Sequence, residues 1–98
     1  MNTYVVLLNW TDQGIKEYEH TADRATEAIE SLVRQNGGMM KGLYWTIGPY
    51  DLVALLVLPD DETLASLLLQ VGSAGNVRST SMRAFDAIEM KSIIARTA

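Results

Sequence analysis

Apolar residues occupy both faces of two extended segments of this chain. Over residues 4–10 (YVVLLNW), Tyr4, Val6 and Leu8 point one way and Val5 and Leu7 the other. Within residues 50–58 (YDLVALLVL), Leu52, Ala54 and Leu56 oppose Val53, Leu55 and Val57. A sheet covered on one side only alternates apolar with polar. Neither segment does so, and each predicts a strand that needs burial on two faces. Between them the period changes: Ile15, Tyr18, Ala22, Ala25, Ile29, Leu32 and Val33 recur at helical spacing after the start signal Thr11-Asp12. Thr21 offers a second N-cap, which predicts a helix in two pieces joined near His20, and Gly37-Gly38 ends it.

Residues 39–47 read as a second strand. Gly48-Pro49 then predicts a tight type II′-like turn into the third strand at 50–58. Pro59-Asp60-Asp61-Glu62 starts another helix, with its acidic groups at the positive end of the helix dipole and Leu64, Leu67, Leu68 and Val71 as its apolar stripe. Gly72 to Gly75 closes it, and residues 77–85 form a fourth strand. Asp86 with Glu89 predicts a capping box for a short C-terminal helix carrying Ile88, Ile93 and Ile94, with Met90 adding to its apolar side. The order β-α-β-β-α-β plus a tail helix is the α+β, ferredoxin-like plan: a four-stranded antiparallel sheet in order 4-1-3-2, with two helices on one face. Lys41, Arg78 and Arg83 fall on strands two and four, as suits exposed edges.

That plan leaves the second face of the sheet apolar and uncovered, and such a surface marks an interaction site. The expectation is a homodimer packed sheet to sheet, or an assembly of such dimers. The alternative is a C-terminal helix folded back over the face, although it offers few apolar residues for the task.

Topology also gathers polar and aromatic groups at one edge. The ends of strands one and two and the starts of strands three and four meet there, bringing together Asn9, Trp10, Trp45, Gly48, Tyr50, Asp51 and Arg78. Apolar walls with a few polar groups are the usual make-up of a small-molecule site, so these are the candidate ligand or interface residues. A purely structural role fits them somewhat better, and the two do not exclude each other: Asp51 accepting hydrogen bonds from its turn or from the end of strand one, and Arg78 pairing with Asp51 or with a neighbouring subunit.

Composition narrows the picture. The 98 residues make one domain, 1–98, with eight basic and twelve acidic side chains and a net charge of −4. No basic stripe is present, so specific nucleic-acid binding is not expected. The longest apolar run, 52–58, is too short to span a bilayer, and the N-terminus carries no signal-peptide pattern. Without cysteine there are no disulfides or thiolate metal sites, and a cytoplasmic home is the default. No cofactor or metal is expected. His20, flanked by Glu17, Glu19 and Asp23, reads as a solvated helix surface, and "GSAGN" is too short for a phosphate-binding signature.

Three motifs stand in order along the chain: NWTDQG (9–14), GPYD (48–51) and GNVRSTSMRAF (75–85). With them the sequence resembles the GYD-domain family, small bacterial proteins named for a Gly–Tyr–Asp motif, here Gly48, Tyr50 and Asp51 with Pro49 between. The resemblance covers almost the whole chain and implies a dimeric α+β barrel; the family's biochemical function is uncharacterised. More distantly, "GPYDLVALLVLPDDETL…GNVRSTS" is similar to the effector-binding domains of leucine-responsive-type regulators, which assemble as dimers and bind amino acids between subunits. This chain has no helix-turn-helix. The reading is therefore a non-catalytic homo-oligomer that binds a small metabolite. A cofactor-free monooxygenase or isomerase is one alternative, and a purely structural assembly subunit is another.

Overall fold

The two doubly apolar segments lie side by side at the centre of a four-stranded antiparallel sheet. A computed structural model describes residues Met1–Ala98. β1 (Asn2–Trp10) leads into a short helix α1 (Asp12–Ile15), a 3-10 turn (Tyr18–His20) and α2 (Thr21–Gln35). Then follow β2 (Met39–Trp45), β3 (Leu52–Leu58), α3 (Asp61–Ser73), β4 (Val77–Ala84) and α4 (Ala87–Ala95). The sheet order β2-β3-β1-β4 is the expected 4-1-3-2 seen from the other edge, so the fold is α+β and ferredoxin-like.

Register decides which residues share a face. Tyr4 lies opposite Leu56, Val6 opposite Ala54 and Leu8 opposite Leu52. These six, with Leu58, make the sheet side of the core, and Val33, Leu64 and Leu67 from the helices complete it. Each leucine and valine among them contributes about 1.5–3 kcal/mol on burial. The helices begin where polar caps allow. Thr11 accepts the Gly14 N–H at the start of α1, and Asp60 accepts the Thr63 N–H at 2.8 Å at the start of α3. The Thr63 hydroxyl also donates to Asp60, and these two bonds hold the Asp60 carboxyl below its ordinary value. The expected capping box of Asp86 and Glu89 starts α4.

The hairpin between β2 and β3 departs from the expected tight turn. The strands stop at Trp45 and restart at Leu52, leaving a six-residue connection, 46–51, with Gly48 at φ +141°. Polar groups of this loop find partners outside a two-residue turn. Asp51 N–H donates to the Leu8 carbonyl, Thr46 N–H donates to the Asp51 carbonyl, and the Thr46 hydroxyl donates to the Tyr50 carbonyl. Tyr50 and Asp51 therefore precede the strand.

The sheet's second face is uncovered in the single chain. Val5, Leu7, Val53, Leu55 and Val57 line its centre half-buried, and Tyr44, Met39 and Met82 flank them largely exposed. α4 does not fold back over this face. None of its residues is buried, and Ile88 remains 79% exposed. The molecule is correspondingly long, 52 × 30 × 19 Å.

At the end of the sheet from which α3 and α4 depart, the buried Tyr4 phenol donates to Asp61 Oδ1 at 2.5 Å and accepts from Asn2 at 3.1 Å. Burial, and after it the hydrogen bond to the Asp61 carboxylate, push the Tyr4 phenol above its ordinary value. A raised phenol pKa favours the folded state fully below about pH 10, and that contribution is lost as pH rises through the folded value. Tyr4→Phe is expected to cost about 1 kcal/mol at neutral pH. The gap between wild type and variant should narrow in urea unfolding above about pH 10. A gap that stays constant from pH 8 to strongly alkaline solution would refute the assignment.

Candidate functional site

The rim where β1 ends is held by hydrogen bonds across long sequence separations. Asp51 Oδ2 accepts the backbone N–H of Trp10 at 2.8 Å, while the Asp51 N–H reaches the Leu8 carbonyl at 2.9 Å. Asp51 thus fastens the loop to the end of β1. Asn9 Nδ2 donates to the Pro49 carbonyl at 2.7 Å, a second tie between the same two segments. Trp45 Nε1 donates to Thr21 Oγ1 at 3.0 Å and anchors the end of β2 to the start of α2. Gly48 and Pro49 form the exposed tip beside the fully exposed Ile47, and Tyr50 is half-buried. Arg78, opposite Asn9 on β4, is exposed and makes no ion pair with Asp51 or with any other carboxylate.

The first helix is fixed to the turn between α3 and β4 with equal care. Thr11 N–H donates to the Asn76 carbonyl at 3.0 Å and its hydroxyl to the Gly75 carbonyl at 2.6 Å. Gln13 Nε2 donates to Asn76 Oδ1 at 2.9 Å. Gly14 is buried at the point of closest approach, where a β-carbon would lie 1.9 Å from the Asn76 carbonyl oxygen. Only a glycine lets the two segments meet at this distance.

These ties frame an open groove of about 1010 Å³ between α2 and the end of α3. Trp10, Ile29, Leu32, Val71 and Val77 give it an apolar floor, and Lys16, Glu17 and Arg24 stand among its polar walls. Arg24 and Glu17 pair at 3.4 Å in solvent, a contact of little energetic weight. Of the seven candidate residues, Trp10 alone lines the groove; Asn9, Trp45, Gly48, Tyr50, Asp51 and Arg78 lie around the rim outside it. His20 is exposed and Tyr44 sits on the open sheet face, and neither lines the groove. Gln13, Gly14 and Asn76 fall within the motifs NWTDQG and GNVRSTSMRAF but are not among the seven candidates, because the contact between them leaves no local signal beyond a glycine in the first turn of a helix.

A second cluster lies at the opposite end of the sheet. The Arg83 guanidinium stacks on Phe85 at 4.4 Å and faces Tyr4 at 5.8 Å. It donates to Asn2 Oδ1 at 3.1 Å, to Glu89 Oε2 at 3.2 Å and to the Thr3 and Ala84 carbonyls. With its donors taken up this way, Arg83 works as a clamp for the root of α4.

Known proteins share this architecture. The GYD domain family model matches residues 4–94. A Thermus thermophilus protein named "Glutamine synthetase and cystathionine beta-lyase binding protein" is similar, 31% identical over 96 residues and 98% of each chain. A crystal structure of a protein from the same organism superposes with a TM-score of 0.58 at 28% identity, covering 89% of this chain and 96% of that one. With the matched region spanning every strand and carrying Gly48, Tyr50 and Asp51 in its rim loop, the chain belongs to the GYD-domain family.

Proposed function

We propose that this chain is a non-catalytic protein-binding module that works as a homo-oligomer paired through its open sheet face. The observation that carries the reading is the relative just described, which matches along nearly its whole length and is named for binding two enzymes. The uncovered apolar face of β1 and β3 supports the oligomer, because contiguous apolar surface of this kind is the usual mark of an association site. Light scattering at micromolar concentration is expected to show dimers or multiples of dimers. Leu7→Lys and Val53→Asp each place a charge in the middle of the face and should weaken pairing at least tenfold. A folded wild-type monomer under these conditions would rule out the pairing.

Partner binding is tested separately, with immobilised glutamine synthetase and cystathionine β-lyase from the chain's own host. Retention of the wild type by either enzyme at micromolar concentration is the expected result, and failure with both removes the protein-binding reading. The groove favours a second reading, a small metabolite taken up beside Trp10. There, a thermal shift with one of the standard amino acids at millimolar concentration, abolished by Trp10→Ala, is the discriminating measurement.

A further inference from the structure

We propose that α4 is an exchanged arm, laid by each copy of the chain against the open sheet face of a second copy. This rests on the reading of that face as the self-association surface and adds the element that completes it.

The composition of α4 is at odds with its surroundings. Met90, Ile93 and Ile94 lie on one side of the helix, while Ile88 and Ala95 lie on the opposite side. Lys91 and Ser92 flank Ile88, so the continuous apolar stripe is the Met90, Ile93 and Ile94 side, and such a stripe is normally turned to a core or a partner. In the single chain no residue of α4 is buried; Ile88 is 79% exposed and Ile94 56%. Something outside the chain must cover it.

The helix is not a loose tail. The Asp86–Glu89 capping box fixes its first turn, and the Arg83–Glu89 pair at 3.2 Å joins that turn to β4. Stacking of Arg83 on Phe85 stiffens the junction further. The root thus sets the direction of α4 and keeps it off its own sheet. Glu89 is consumed by this anchor, and the centre of the open face carries no charge: Val5 and Leu7 lie beside Leu55, Val53, Thr80 and Met82. The Met90, Ile93 and Ile94 stripe laid there meets no charge on the sheet, and Lys91, about 100° around the helix from the centre of that stripe, stays at its margin.

Area argues for a second copy. Four strands spaced about 4.8 Å apart, with about 3.3 Å per residue, give the face a footprint on the order of 500 Å². Stable pairs bury about 800 Å² on each partner. A nine-residue helix is about 14 Å long and about 10 Å across, so one side of it adds a footprint of about 140 Å². The face alone falls short, and face plus arm comes closer to the requirement. Both unpartnered surfaces occur once per chain, so a twofold pair in which each copy gives one arm and receives one satisfies both.

The chain has no cysteine, which makes the test direct. Tagged Ile94→Cys protein co-expressed with untagged Met82→Cys protein should give a tagged–untagged disulfide on mild oxidation. Absence of that product overturns the proposal, as does an intramolecular disulfide in the Ile94→Cys, Met82→Cys double variant. In parallel, Ile88→Glu with Ile94→Glu should raise the dimer dissociation constant at least tenfold with an unchanged far-ultraviolet circular dichroism spectrum. If that variant pairs as tightly as wild type while Leu7→Lys does not, the arm is refuted and the sheet-face reading stands. If Leu7→Lys also pairs normally, both fail.

Discussion

Gly14→Ala is expected to lower the melting temperature by about 10 °C or more. The new β-carbon would sit 1.9 Å from the Asn76 carbonyl oxygen and 2.8 Å from its carbonyl carbon. Both are backbone atoms, so no flexible side chain can swing away. Relief requires α1 to part from the α3–β4 turn, which strains the Thr11 and Gln13 hydrogen bonds that join them. Overpacking of this kind typically costs about 1–3 kcal/mol, and a domain of this size loses about 4–8 °C per kcal/mol. Gly72 provides the control. It lies in α3, where an added β-carbon would find nothing within 4 Å, so Gly72→Ala should melt at or above the wild-type temperature. Calorimetry on the two variants decides the matter, and equal melting points would show that α1 is not pinned at Gly14.

Asp51→Ala is expected to cost about 1–3 kcal/mol, because it leaves the Trp10 N–H without its acceptor and frees the loop from the end of β1. That corresponds to a fall on the order of 5–15 °C in melting temperature. Asp51→Asn keeps a carbonyl oxygen that can accept from Trp10 and should lose less than half as much. The pair of variants also separates structure from recognition. If Asp51→Asn keeps stability and assembly yet loses the retention on glutamine synthetase or cystathionine β-lyase expected of the wild type under the proposed function, the carboxylate takes part in recognition. If both variants melt with the wild type, the loop is held by Asn9 and its own backbone, and Asp51 has no special place.

What could be read from the sequence was what depends on short-range periodicity. The two-faced strands β1 and β3, the break in the first helix before Thr21 and the Asp86–Glu89 box are patterns within a few residues, and the structure contains each of them. The sheet order followed from topology. The tight turn at Gly48-Pro49 was not what formed, because the backbone of Asp51 bonds to Leu8, 43 positions away in the chain, and no local propensity encodes that contact. The Arg78–Asp51 pair does not form, because Asp51 leads into β3 and Arg78 lies on β4 with β1 between them, and the Asp51 carboxylate accepts instead from Trp10 of β1. The groove and the Gly14 contact depend on how far apart α2 and α3 come to rest, which is a property of packing rather than of pattern.

The irregularity in β2 has a consequence for solubility. Its pairing with β3 slips between Met40 and Gly42, so Lys41 is an extra residue in an edge strand. An edge with a bulge and a lysine is a poor template for a further strand. At the other margin, β4 presents an exposed row through Arg78, Ser79, Thr80 and Ser81. Lateral growth of the sheet, the route to fibrils, is discouraged at one border by the Lys41 bulge and at the other by the Arg78 charge, and under the proposed pairing it is the broad surface between them that adheres. Stickiness confined to one side of a slab is exhausted once that side meets its match, so concentrated solutions of this protein should remain clear and free of thioflavin-positive fibres.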